Sequence, residues 1–451
     1  MTYAWVFFVS AAAAIALTVR SRFEGNPQRQ GTPMRATGPE PRQARCPNTP
    51  LHLALLLATS LGGCGTDSDA GPRLDTVVDS AGIRVISLAE PPQPAGEFTT
   101  HLLWKHGARP GDYPFQNVRS GTLLADGSAV VADGTADEVV RLRDGAAAEI
   151  LMTRGQGPSE ATGVVGVAGG GGDSVWVDDD GNSKLVLLDG EGTVTSTSVA
   201  GRYDLSIGLR LRGVDAHDDL WMSTSSFPRD PPDPAAPWRM GELVRLDPET
   251  LRADTVASYE HAPILPNPND TYHPFLPYGT VTVAGGRWVT ARADKTELVW
   301  LGEDGEVVQI LRWSAPTRSP TTDDLEEYTA WSRNSFRRVN PGLSPGELRQ
   351  GFARSMGRVV VDESIPIPHF RDIIGSRDGH VWIEDFEPGL LPASRFTVVS
   401  PEGEWLGRVV FPSPVVILDI RDSHVLAVVQ DEYDVRRVAV ICDFWTVEKW
   451  W

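Results

Sequence analysis

Six copies of one phrase run through this chain: a polar turn, a short apolar strand that often includes Trp, and then a second strand. The copies read Ala125-Asp126-Gly127-Ser128-Ala129-Val130-Val131-Ala132-Asp133, Gly172-Asp173-Ser174-Val175-Trp176-Val177-Asp178, His217-Asp218-Asp219-Leu220-Trp221-Met222, Gly285-Gly286-Arg287-Trp288-Val289, Arg377-Asp378-Gly379-His380-Val381-Trp382-Ile383 and Arg421-Asp422-Ser423-His424-Val425-Leu426-Ala427-Val428. A unit of a few short strands cannot bury both of its faces alone, so it must stack on its neighbours. The expectation is an all-β, six-bladed β-propeller. Steps of 46, 45 and 44 residues separate Val130 from Trp176, Trp176 from Trp221 and Trp382 from Leu426, near the period of a four-stranded blade. The two remaining steps, 67 residues from Trp221 to Trp288 and 94 from Trp288 to Trp382, are long enough to contain insertions.

Alternation within each copy resolves individual strands. Ala129–Ala132 and Glu138–Arg143 flank one turn, Val175–Val177 and Lys184–Leu188 a second, Val381–Ile383 and Arg395–Val399 a third. Asp-Gly and Gly-Gly pairs recur between strands because tight hairpins need positive φ, which glycine adopts without steric cost. The Trp residues are expected to pack between blades, where an indole fills the wedge between twisted sheets.

The front of the chain supplies a different signal. Leu53–Leu61 is an apolar run of export-signal length, preceded by Arg35, Arg42 and Arg45 and followed by Leu61-Gly62-Gly63-Cys64. These four residues resemble the bacterial lipobox, and the resemblance implies that Cys64 becomes the lipidated first residue of a mature protein. An upstream apolar run, Ala4 to Val19, is short for a spanning helix. Residues 1–33 are therefore read as a mis-called extension ahead of a start at Met34 or an extra hydrophobic segment, 34–63 as a signal peptide, 64–78 as a tether, 79–444 as the propeller and 445–451 as a tail. The net charge is −19, and a leader with six Arg and two Glu leaves −23 on the remainder. Such an acidic surface argues against nucleic acid or anionic lipid as a general partner. Only Cys46, Cys64 and Cys442 occur, so Cys442 is expected to lack a disulfide partner, and no cysteine metal site is expected.

Arg154-Gly155-Gln156-Gly157-Pro158-Ser159-Glu160-Ala161, with a degraded earlier copy at His106-Gly107-Ala108-Arg109-Pro110-Gly111-Asp112-Tyr113, resembles the phrase that joins blades in bacterial six-bladed propeller lipoproteins of the NHL-like and TolB-like group. Ser159 and Ala161 depart from that phrase. The resemblance implies a propeller in the cell envelope, held by a lipid on its periplasmic face or outer membrane, and implies no reaction. A composition change over about 319–358 interrupts the repeats between the fourth and fifth blades. Thr321-Thr322-Asp323-Asp324 and Ser344-Pro345-Gly346-Glu347 each open a helix, with Leu325, Tyr328 and Trp331 and then Leu348, Phe352 and Met356 on one stripe. This helical pair either covers apolar surface or serves as a lid or docking element. Pro-rich stretches at Phe227–Trp238 and Pro263–Tyr278, the second with Tyr272, His273, Phe275 and Tyr278, offer a binding wall.

Counting seven residues back from Asp126, Asp219 and Asp378 reaches Arg119, Arg212 and Arg371, in the first, third and fifth blades. If equivalent, these arginines converge near one mouth of the channel and attract an anion; the alternative is pairing with acids such as Asp372 or Asp215. Nucleophile-elbow, zinc-protease, phosphate-loop and Cys-x-x-Cys motifs are absent. Asp178-Asp179-Asp180-Gly181-Asn182-Ser183 has its glycine at the wrong position for a helix-loop-helix calcium loop and reads as a hairpin turn. No cofactor and no metal are therefore expected. Two functions remain: a non-catalytic envelope lipoprotein that binds a protein partner or small anionic ligand, and a metal-dependent lactonase-like or lyase-like propeller enzyme.

Overall fold

The computed structural model describes residues 76–89, 97–107, 109, 111–199, 209–215, 219–224, 238–250, 252–263, 273–340, 342–357, 359, 364–388, 394–430 and 435–445. The expected signal peptide, Cys46, Cys64, residues 64–75 of the expected tether, His217, Asp218 and most of both Pro-rich stretches lie outside them, while Thr76–Val78 of that tether are already in a strand. Six antiparallel blades follow one another in chain order, and their innermost strands are Val118–Leu123, Val164–Gly169, Leu209–Val214, Gly279–Ala284, Phe370–Gly375 and Val415–Arg421. The all-β, six-bladed propeller is the observed fold. Second strands such as Ala129–Asp133, Val175–Asp179 and Leu220–Thr224 are buried at every position, because a blade between two others has no solvent face.

Six apolar clusters fill the six wedges. Between blades 1 and 2 lie Val130, Val139 and Met152 against Val164, Val175 and Val186; between blades 6 and 1, Leu426 and Val440 meet Leu123 and Val131. Trp176, Trp221 and Trp382 enter the wedges toward blades 3, 4 and 6. Trp288 departs from the expected equivalence. It packs back on blade 3, with its ring centroid 5.1 Å from that of Trp221. Val289 instead faces blade 5, so the fourth repeat runs one residue out of phase with the others, and a one-residue slip sends a strand side chain to the opposite face.

Ring closure uses chain from the far end. Glu97–His106 is the outermost strand of blade 6, antiparallel to Arg436–Trp445, and it also touches blade 5 through a parallel pairing of Phe98 with Val409. An earlier hairpin, Thr76–Ser80 with Ile83–Leu88, widens blade 4 to six strands by parallel pairing on Val307–Trp313.

Both expected helices form between blades 4 and 5: α1 (Thr322–Val339) and α2 (Pro345–Met356). Each opens with a capping box, Thr321 with Asp324 and Ser344 with Glu347, which satisfies amide groups that the first turn leaves without partners. Tyr328 of α1 packs on Phe275 and Ile367, with Leu325, Trp331, Met356 and Phe386 around them. Cys442 is fully buried and disulfide-bonded. The expectation of an unpartnered Cys442 is thereby corrected; its partner lies outside the described residues.

Candidate functional site

Antiparallel blades give a propeller two unlike mouths. Hairpins between first and second strands crowd one, while the other collects the blade connections, the loops after the second strands, and α1 and α2. The inner strands between them have a free edge toward the channel, where unpaired backbone groups are costly. Side chains of neighbouring blades meet that need. Asp419 accepts from the Leu123 amide at 2.7 Å and the Thr122 hydroxyl at 2.9 Å, Ser120 accepts from the Val167 amide at 3.1 Å, and Thr282 accepts from the Gly375 amide at 2.8 Å.

Arg377 spans the hairpin mouth. From the blade 5 turn it donates to the Thr122 hydroxyl at 2.6 Å and the Leu123 carbonyl at 3.1 Å, and it lies 3.2 Å from Asp419. A Cβ on Gly169 of blade 2 would fall 2.3 Å from its Nη2. One guanidinium thus links blades 5, 6, 1 and 2 across the axis. Arg421, in the equivalent turn of blade 6, donates to the same Leu123 carbonyl at 3.2 Å. Sequence reasoning missed this pair, although the Arg-Asp opening shared by the fifth and sixth turns was its visible signal.

The helix-bearing mouth holds the three expected arginines. Each stands on the inner strand of its own blade at a register shift, between Val118 and Ser120, Leu211 and Gly213, and Phe370 and Asp372. A bulge turns one extra side chain away from the ladder. Their environments nevertheless differ. Arg119 lies over Gly134, whose absent Cβ makes room for it. Arg212 is exposed and donates through Nε to Ser223 at 2.8 Å. Arg371 is 5% exposed and pairs with Glu384 at 3.0 Å, beneath the ring of Phe386. Its hydrogen-bonded acid is Glu384; Asp372, whose charge also acts on it, accepts from Thr280 and the Ile373 amide, while Asp215 holds the Asp219 amide and the Trp221 indole.

Arg212 has company that the repeat arithmetic did not reveal. His261, at the end of the long outer strand Ala253–Pro263, is pushed down to about 4, first by burial and further by Arg212 and Arg239. Gly279 permits this approach, since a Cβ there would fall 1.5 Å from the Glu260 carbonyl oxygen. Arg212 and Arg239 therefore give blade 3 a cationic face near neutral His261, and among the described residues neither arginine makes an ion pair. Asp178, in the wedge between blades 2 and 3, is raised to about 7 by burial, an effect that Arg210 opposes. Asp179 anchors the hairpin turn after it, accepting from the Asn182 and Thr162 amides, which accounts for the acidic run without a cation. Among the described residues no three His, Cys, Asp or Glu side chains gather to hold a metal ion, and no helix is long and apolar enough to cross a membrane.

The depressed His261 has a sign-definite consequence. Its folded value lies below the unfolded 6.5, so its stability contribution is present above pH 6.5 and is lost as pH falls from 6.5 toward 4. Across that window wild type is expected to lose about 3 kcal/mol more than His261→Gln, from 1.36 kcal/mol per unit. Denaturant melts at pH 7, 5.5 and 4 measure this, and parallel losses in both proteins would refute it.

No protein-family model matches the chain, and no curated protein does. Solved structures do. Virginiamycin B lyase from Staphylococcus aureus aligns at 11% identity over 78% of this chain and 90% of that one, with a TM-score of 0.35. A gluconolactonase from Xanthomonas campestris aligns at 13% identity over 79% and 98%, with a TM-score of 0.39. A candidate exported protein from Bacteroides fragilis aligns at 8% identity over 80% and 99%, with a TM-score of 0.44. Neither substrate nor location passes from them to this chain.

Proposed function

We propose that this propeller is an envelope lipoprotein, acylated at Cys64, that binds a small anionic ligand or an acidic segment of a protein partner at its helix-bearing mouth without transforming it. The observation that supports binding most directly is the blade 3 face: exposed Arg212 beside Arg239, with neutral His261 behind them. Arg119 adds to the positive potential from blade 1. Arg371 is already engaged by Glu384, so Arg212 is the contact residue in this reading. The order of basic, apolar and small residues up to Cys64 supports the anchor.

Two measurements test these halves separately. Isothermal titration with inorganic phosphate, citrate and an acidic peptide is expected to give binding that Arg212→Gln with Arg239→Gln weakens at least tenfold; unchanged affinity would discard the site. Intact mass of membrane-extracted protein is expected to show acyl chains on an N-terminal Cys64. The Cys442 disulfide of the full chain needs Cys46 or Cys64, and a chain cut and acylated at Cys64 no longer carries it, so an unacylated, disulfide-linked mature species would refute the anchor.

A further inference from the structure

The distal part of the helical insertion inverts the charge of the protein that bears it, whereas the first two turns of α1 carry Asp323, Asp324, Glu326 and Glu327. From Tyr328 to Arg358 the sequence holds six Arg and one Glu, with no Asp or Lys, in a chain of net charge −19. Arg333, Arg337, Arg349 and Arg354 are exposed, and among the described residues none of the four makes an ion pair. Arg333 and Arg337 stand four residues apart on α1, a like-charge spacing that weakens a helix. Contact between Phe336 and Phe352 holds α1 against α2, and Arg333 lies over the Phe352 ring. No residue of α2 is fully buried, and Leu343 in the turn joining the helices is 37% exposed.

The chain's own path says what this surface faces. Thr76 pairs with Ser87, Ser87 pairs with Arg312, and the Ser314 amide donates to the Leu88 carbonyl. Thr76 is therefore two strand spacings, roughly 10 Å, from the point where the chain leaves blade 4 for α1. The residues upstream of Thr76 and the insertion start from the same rim. Cys64 lies twelve residues before Thr76, a reach of at most about 40 Å.

We propose that the arginine-rich face of the α1–α2 hairpin docks on an anionic phospholipid bilayer and fixes the orientation of an otherwise acidic propeller. The orientation argument rests on the acylation of Cys64 proposed above, whereas the charge argument does not. Opposite charge attracts the distal part of this element, while the acidic first turns of α1 and the acidic remainder of the protein are held away from the lipid. The helix-bearing mouth then lies beside the bilayer.

Flotation with vesicles of phosphatidylglycerol and phosphatidylcholine tests the idea on the Cys64→Ser chain, so that no acyl group contributes. Binding is expected to anionic vesicles, not to pure phosphatidylcholine, and to fall with salt. Replacing Arg333, Arg337, Arg349 and Arg354 by Gln is expected to weaken it by about fivefold per residue, with the melting temperature unchanged; replacing them by Lys should restore it. Equal flotation on neutral vesicles, or binding that survives the four Gln substitutions, would overturn the proposal. So would absence of binding, which would assign the face to an acidic protein. Because the mass measurement on wild type reads acylation independently, loss of the anchor reading and loss of this one are distinguishable.

Discussion

Replacing Glu384 by alanine is expected to destabilise the protein by about 3–5 kcal/mol, because a buried guanidinium then loses its ion-pair partner. Arg371 and Glu384 have side chains 5% and 7% exposed and lie 3.0 Å apart. Burial already pulls Arg371 below the ordinary arginine value, and the Glu384 carboxylate is what chiefly opposes that pull. The second Arg371 contact, to the Glu387 carbonyl at 3.4 Å, is too long to replace it. Arg371→Met combined with Glu384→Leu is expected to recover most of the loss, since removing both charges removes the desolvation cost with the attraction. Urea denaturation of the three variants checks this. A loss below about 1 kcal/mol for Glu384→Ala would mean that water reaches the pair.

A chain that starts at residue 108 is expected to lose the closed ring altogether, whereas one that starts at residue 74, which gives up the Cys442 disulfide, should keep the ring. The main difference is Glu97–His106, which pairs with Arg436–Trp445 along nearly its whole length; the blade 4 hairpin with buried Ile86 and Leu88 is lost as well. Phe98 is 5% exposed in the wedge between blades 5 and 6, and Leu103 and Trp104 pack against blade 1. Their removal opens a row of backbone donors and acceptors and uncovers apolar side chains in two wedges. A domain whose whole stability is typically about 5–15 kcal/mol does not survive that loss. Circular dichroism melts and size-exclusion chromatography measure the outcome. A cooperative transition at an unchanged midpoint in the shorter chain would show that blade 6 closes without the N-terminal strand.

Several features of the fold were legible because they are local. The short apolar runs of Ala129–Asp133 and Val175–Asp179, the hairpin glycines and the capping boxes at Thr321 and Ser344 all rest on residues a few positions apart. Trp288 shows where that reading slips: only its contacts with blade 3 reveal that the fourth repeat is offset by one residue. The candidate site was legible in part. Arg119, Arg212 and Arg371 do occupy inner strands of alternate blades, but their spacing said nothing of Ser223, Glu384 or Gly134 beside them. His261 and Arg239 escaped notice because they belong to outer strands, whose ends follow no repeat.

The sequence by itself determined the number of blades, the position of the helical insertion and the excess of acid over base, since each is written in periodicity or composition. Tertiary structure alone decided which strand closes the ring, which arginine bars the channel and which stays open to a ligand. Those outcomes depend on residues hundreds of positions apart, such as Phe98 beside Trp445 or Arg377 beside Thr122. No local preference encodes such pairings. They follow from the requirement that six wedge-shaped sheets meet around one axis with every buried charge and backbone group answered.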